Sequence, residues 1–124
     1  MIQRQVRGKY GAVKTQINGI TFASKAESRR YVELKTLEDA GHIRDLQLQK
    51  KFLLVPAKRN ADGYLEREVS YSCDFAYVDH LGRQVIEDVK SRATCKNPEY
   101  VIKRKLMLQV HGITVVEVGC KARK

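Results

Sequence analysis

The sequence predicts an α/β (α+β) domain, a mixed central sheet flanked by helices. Three observations predict it. Asn18-Gly19 sits between two short apolar runs, a two-residue hairpin signal. Segments starting at Ser24 and Asn97 carry helix-start signals and run on to Gly41 and Gly112. Runs rich in β-branched and aromatic residues lie between and after them. The order hairpin, helix, strands, helix, strand calls for a sheet with helices packed on it.

Val13 to Ile17 and Ile20 to Phe22 form the expected hairpin arms. Ser24-Lys25-Ala26-Glu27 is a capping-box pattern, in which Glu27 reaches back to the Ser24 amide. The helix continues to about Ala40, with Gly41 past its end. Tyr31 and Leu34 recur at helical spacing and should face the sheet. Asp45 to Val55 reads as extended, with Pro56 ending it or marking an edge. Asn60-Ala61-Asp62-Gly63 is a turn. Leu65 to Val78 and Gln84 to Lys90 read as strands joined around His80-Leu81-Gly82. Asn97-Pro98 is an N-cap followed by proline at the first helical position, opening a helix to about His111. Ile113 to Val118 is expected as a final buried strand.

The chain has 124 residues, enough for one domain with one modest core, and 43% of them are hydrophobic. One domain over 1–124 is expected, with 1–12 as a flexible basic arm. No apolar run is long enough to span a membrane, and the basic N-terminus lacks an apolar signal-peptide core. The expected location is the cytoplasm. Cys73, Cys95 and Cys120 are odd in number and widely spaced, so neither a disulfide framework nor a cysteine-rich zinc site is expected. Lys and Arg number 24 against 14 Asp and Glu, a net charge of +10. Such a charge on so small a chain favours a polyanionic partner, most commonly nucleic acid. Basic residues gather at Arg4, Arg7, Lys9 and Lys14, at Lys96, Lys103, Arg104 and Lys105, and at Lys121, Arg123 and Lys124.

The chemistry is carried by Asp74 and by the run Glu87-Asp88-Val89-Lys90. Side chains alternate along a strand, so Asp74, Ala76 and Val78 share a face, as do Ile86, Asp88 and Lys90, while Glu87 points the other way. A three-residue loop with Gly82 left-handed would pair Val78 with Gln84, Ala76 with Ile86 and Asp74 with Asp88. Two carboxylates would then stand side by side, which is destabilising unless something neutralises them. A divalent cation does so, and Mg²⁺ accepts one or two carboxylates together with water and phosphate oxygens. Lys90, on the same face, could orient a water or stabilise charge on phosphate. The plainer alternative is a solvated hairpin with a weak Asp88–Lys90 surface pair. Glu27 lies on the inward stripe of its helix, which suits either the cap or the metal site.

These residues resemble the core of the PD-(D/E)xK nuclease superfamily, with Asp88-Val89-Lys90 as the (D/E)xK element and Asp74 as the first acid. Glu27 resembles the extra helical acid of resolvase-like branches. Cys73 stands where many members have proline. A wider set also resembles a phage and prophage family described only as a domain of unknown function. That set is Tyr10-Gly11, Gly19 to Glu27, Ala40 to Ile43, Leu48-Gln49, Asp74 to Tyr77 and Glu87 to Lys90.

The resemblance implies a restriction-endonuclease-like core and an endonuclease that hydrolyses DNA phosphodiesters. It implies Mg²⁺ as cofactor, with Mn²⁺ able to substitute. Asp74, Asp88 and Glu27 would be metal ligands and Lys90 the catalytic lysine. Gln49 matches a glutamine near the active site of related nucleases, although an ordinary strand-surface role fits it as well. Lys103 and Lys105 are candidate phosphate contacts or a solvated helix face. With no room for a separate recognition domain, branched or junction DNA is the expected substrate, cut by a homodimer as Holliday-junction resolvases do. Two alternatives stand beside this reading: a nicking or repair endonuclease on duplex DNA, and a basic nucleic-acid-binding protein without catalysis. Tyr71 and Tyr77 read as packing residues.

Overall fold

The computed structural model describes residues 4–7 and 13–120. Asn18 and Gly19 both adopt positive φ, 52° and 80°, so β2 (Val13–Ile17) turns directly into β3 (Ile20–Phe22). β1 (Arg4–Arg7) pairs antiparallel with β2 to complete a three-stranded sheet. Of the segment 1–12 read as a basic arm, residues 4–7 are therefore in a strand. Residues 1–3 and 8–12, and the tail cluster 121–124, lie outside the described residues.

Helix α1 (Lys25–Asp39) begins where Ser24 Oγ accepts the Glu27 N–H at 3.1 Å. The Glu27 carboxylate reaches past Ser24 and accepts from the Ala23 N–H at 3.4 Å, one residue earlier than the capping box expects. Gly41, at φ 80°, reverses the chain beyond the helix.

The stretch read as one strand from Asp45 to Val55 is two, β4 (Arg44–Leu48) and β5 (Lys51–Val55). Gln49 at φ 55° breaks the run. Lys58–Arg59 (β6) and Leu65–Glu66 (β7) flank the expected turn at Asn60 to Gly63. Leu65 to Val78 is likewise divided, into β7, β8 (Val69–Ser72) and β9 (Phe75–Val78). The two ribbons bend together. β4 pairs with β9 and β5 with β8, and at the bend the Gln49 N–H donates to Asp74 O and the Cys73 N–H to Lys50 O.

The central sheet has the order β11-β10-β9-β4, from β10 (Gln84–Val89) and β11 (Val116–Val118). β10 runs antiparallel to β9 and parallel to β11, so the sheet is mixed. The β9–β10 register is the expected one, with Val78 opposite Gln84 and Ala76 opposite Ile86. Gly82 is left-handed at φ 78°. The last strand is shorter than expected and half-exposed, because it forms the sheet's edge.

Helix α2 (Pro98–His111) is capped by Asn97 and stopped by left-handed Gly112. The two helices line separate cores. Tyr31 and Leu34 of α1 pack with Phe75 and Tyr77, while Tyr100 and Met107 of α2 pack with Ala76 and Ile86. Adjacent strand residues thus alternate between the cores, as strand geometry requires. Leu34 and Met107 are completely buried, each contributing about 1.5–3 kcal/mol of apolar burial.

Cys95, in a short 3₁₀ turn (Thr94–Lys96), is disulfide-bonded to Cys120. The cysteine spacing predicts no disulfide framework, and this one bond is a correction to that reading. The parallel β10–β11 pairing sets the residues after Lys90 beside those after Val118, which closes a separation of 25 residues. Cys73 is the free thiol, buried, with its pKa pushed up to about 11 by burial.

Candidate active site

The site forms where β10 ends and the paired ribbons bend. The β9–β10 ladder stops at Phe75 opposite Glu87, so Asp74 lies just beyond it rather than as the direct ladder partner of Asp88. Its N–H donates to Glu87 O at 3.1 Å, and its Oδ2 accepts from the Val89 N–H at 2.7 Å. The Asp74 and Asp88 carboxyl groups are close enough for each charge to bear on the other. Burial foremost, then the charges of Asp88 and Glu27, push Asp74 up to about 8.

Asp88 is 4% exposed. Its Oδ2 accepts from the Tyr71 hydroxyl at 2.5 Å, and its Oδ1 lies 3.3 Å from Lys90 Nζ. The Lys90 ammonium also sits 4.4 Å above the ring of Tyr100. Tyr71 packs in the core, as read, with its hydroxyl on Asp88, and burial together with that carboxylate keeps its phenol protonated. Tyr100 is anchored in turn, donating to Glu117 Oε2 at 2.7 Å, an oxygen that Arg104 Nη1 approaches at 3.4 Å.

Glu87 faces the other way, as its strand parity requires. Both its oxygens are held by Arg30 and one also by the Tyr77 hydroxyl. It is committed to this buried pair, which leaves Asp88 as the acid of the site.

Glu27 borders the site from α1. Its pKa is raised, mainly by burial, with Asp88 raising it further and Lys90 opposing. Glu27, Gln49 and Asp74 line one hollow of about 130 Å³, and Gln49 Nε2 stands 3.5 Å from Asp74 Oδ1. Asp88 and Lys90 open on the other side into a cleft of about 510 Å³, with Lys103 on its wall. Lys103 Nζ pairs with Glu99 at 3.2 Å. Lys105 is exposed on α2 and lines neither space.

The fold therefore brings Asp74, Asp88, Lys90, Glu27, Gln49 and Lys103 around one end of β10 and leaves Lys105 outside. Among the described residues, no group of three or more His, Cys, Asp or Glu side chains is gathered to hold a metal ion. Glu27 thus flanks the paired acids rather than completing a three-carboxylate set, because its carboxylate is turned to Ala23. A half-buried and a buried acid side by side, Asp74 and Asp88, do fit a hard divalent cation, which commonly takes one or two carboxylates and fills its other positions with water and phosphate oxygens.

Tyr71, Tyr100 and Arg30 carry no motif. A signal existed for Arg30: it flanks the inward stripe of Glu27, Tyr31 and Leu34, and a cation there requires a buried anion. Tyr71 and Asp88 are separated by 17 residues on strands that are not paired with each other, so nothing local links them.

Among the described residues no helix is long and apolar enough to cross a membrane. Searches of curated proteins and of solved structures found no match. The family model described as protein of unknown function (DUF1064) matches residues 7–121, and the chain belongs to that family.

Proposed function

We propose that this chain is a Mg²⁺-dependent DNA endonuclease with a PD-(D/E)xK, restriction-endonuclease-like core, acting as a homodimer on branched DNA such as four-way junctions. One observation carries the reading. Asp74, bonded through Oδ2 to the Val89 N–H, stands beside Asp88 and a lysine held 3.3 Å from Asp88, in a chain of net charge +10. Burying like charges together is costly, and a site that keeps them is commonly one that uses them.

In this reading Asp74 and Asp88 hold the cation, and Glu27 adds negative charge from α1. Bound Mg²⁺ supplies charge neutralisation at the phosphate and makes a water more acidic. Lys90 orients the attacking water and stabilises charge building on the phosphate oxygens. The water oxygen bonds to phosphorus as it gives up a proton to solvent, the bridging phosphorus–oxygen bond breaks, and the leaving oxygen takes up a proton from solvent. Lys103 and Gln49 contact the strand on either side, and the basic surface binds backbone without reading sequence.

The test is a cleavage panel of four-way junction, flap and linear duplex DNA with Mg²⁺ or Mn²⁺, run with wild-type protein and Asp88→Asn. Metal-dependent cutting by wild type alone supports the proposal. Symmetric junction cutting favours the resolvase-like form, and preferred duplex cutting favours a nicking or repair enzyme. DNA binding with no cleavage of any substrate would leave a non-catalytic binding protein.

A further inference from the structure

Resting on the hydrolytic reading above, we infer that Tyr71 and Tyr100 are positioning residues that set the Asp88 carboxylate and the Lys90 ammonium. The two oxygens of Asp88 are divided between partners. Oδ2 takes the Tyr71 hydroxyl at 2.5 Å, and Oδ1 is left towards Lys90, 3.3 Å away. Tyr71 is itself 4% exposed, so its hydroxyl is a fixed donor and allows the carboxylate one rotamer. Groups that orient a ligand in this way commonly govern metal affinity as strongly as the ligand's own geometry.

Lys90 poses a different problem. A lysine stem is flexible, and a carboxylate on one side does not fix its direction. The Tyr100 ring face, 4.4 Å from Nζ, supplies a second point of attachment that uses none of the ammonium's donors. The ring cannot drift, because its hydroxyl is tied to Glu117 on β11 at 2.7 Å. Strands β8, β10 and β11 and helix α2 thus converge on one acid–lysine pair. A packing role alone needs neither the hydroxyl of Tyr71 on Asp88 nor the ring of Tyr100 under the ammonium.

The test separates metal binding from cleavage. Binding of Mg²⁺ alone is measured by calorimetry without DNA, and kcat and KM are measured on the best substrate of the panel. Tyr71→Phe is expected to weaken Mg²⁺ binding about tenfold, with KM for DNA unchanged. Tyr100→Leu is expected to lower kcat about tenfold with Mg²⁺ affinity unchanged, and Tyr100→Phe, which keeps the ring, to recover most of that loss. A purely structural role would lower the melting temperature and leave these constants alone. Equal Mg²⁺ affinity in Tyr71→Phe and wild type overturns the Tyr71 assignment, and equal kcat for Tyr100→Leu and Tyr100→Phe overturns that of Tyr100. Should Tyr71→Phe not fold, protein carrying 3-fluorotyrosine at position 71 is titrated with Mg²⁺ and followed by fluorine NMR. A resonance that moves with the calorimetric affinity supports the role, and an unmoved one overturns it. Wild type that binds no Mg²⁺ brings down the nuclease reading, and this inference with it.

Discussion

Arg30 on α1 donates to both carboxylate oxygens of Glu87 on β10, from Nε at 2.8 Å and from Nη2 at 2.6 Å. Glu87 is 1% exposed, and the hydroxyl of Tyr77 adds a further donor to it. Of two adjacent acids on one strand, one is spent on anchoring α1 to the sheet and the other faces the site. Arg30→Ala would leave the buried Glu87 carboxyl group without its partner, at a cost of about 3–5 kcal/mol. The expected result is a large fall in denaturation midpoint with Mg²⁺ affinity, corrected for the folded fraction, unchanged. Asp88→Asn should show the converse, loss of Mg²⁺ binding and at least a hundredfold loss of cleavage in a folded protein.

Asp74 makes the metal-free protein sensitive to pH. Its pKa is raised from 3.8 to about 8, chiefly by burial and then by Asp88, so the folded state binds this proton more tightly than the unfolded state does. The resulting stability is fully present below about pH 4 and is lost as pH rises through about 8. In EDTA, wild type should therefore lose stability relative to Asp74→Asn across that window. A thermal melt at pH 8 should place Asp74→Asn higher by ~5 °C, the size of a 1–2 kcal/mol change in so small a domain. Parallel pH profiles for the two proteins would contradict it.

Metal should reverse that penalty. A cation that binds only the folded chain stabilises it by about 2.7 kcal/mol at a hundred times its Kd. Thermal melts in Mg²⁺ are expected to shift wild type upward and to leave Asp74→Asn and Asp88→Asn unmoved.

Lys103 and Lys105 are neighbours in sequence and differ in place. Lys103 lines the cleft with Asp88 and Lys90, and Lys105 does not. Lys103→Ala should reduce the slope of log DNA affinity against log salt by about 1, weakening binding to all sequences alike. Lys105→Ala should leave the slope nearly unchanged. Fluorescence anisotropy across a salt series reads both.

Leu34 is the most buried apolar side chain of α1, at 0% exposure. Leu34→Ala should cost about 2–5 kcal/mol through lost burial and the cavity left behind. Because Asp74 leads into β9 and Asp88 lies on β10, and neither is held by α1, urea unfolding should show the loss without a change in the acid pair's Mg²⁺ affinity.

Much of this architecture was legible locally. Asn18-Gly19, Ser24, Gly41, Asn97 and Gly112 mark turns and caps whose chemistry acts within a few residues, and each falls where it was read. The β9–β10 register followed from loop length and strand parity. The long extended stretches were misread as single strands because the breaks at Gln49 and at Cys73–Asp74 are opposed across a ribbon. A bend shared by two distant strands leaves no pattern in either one. The Cys95–Cys120 bond was missed for the same reason, since only the parallel pairing of β10 with β11 brings the two cysteines together.

The acid–lysine pair shows the same division. Alternation along one strand determined that Asp88 and Lys90 share a face and that Glu87 does not, because side-chain direction has a period of two residues. Tertiary structure decided what those faces meet: Arg30 and Tyr77 on one side, Tyr71 and Tyr100 on the other. It also displaced Asp74 past the end of the ladder and turned Glu27 to Ala23. Local geometry is set by a few neighbouring dihedrals, whereas partners across a core depend on how every element packs at once.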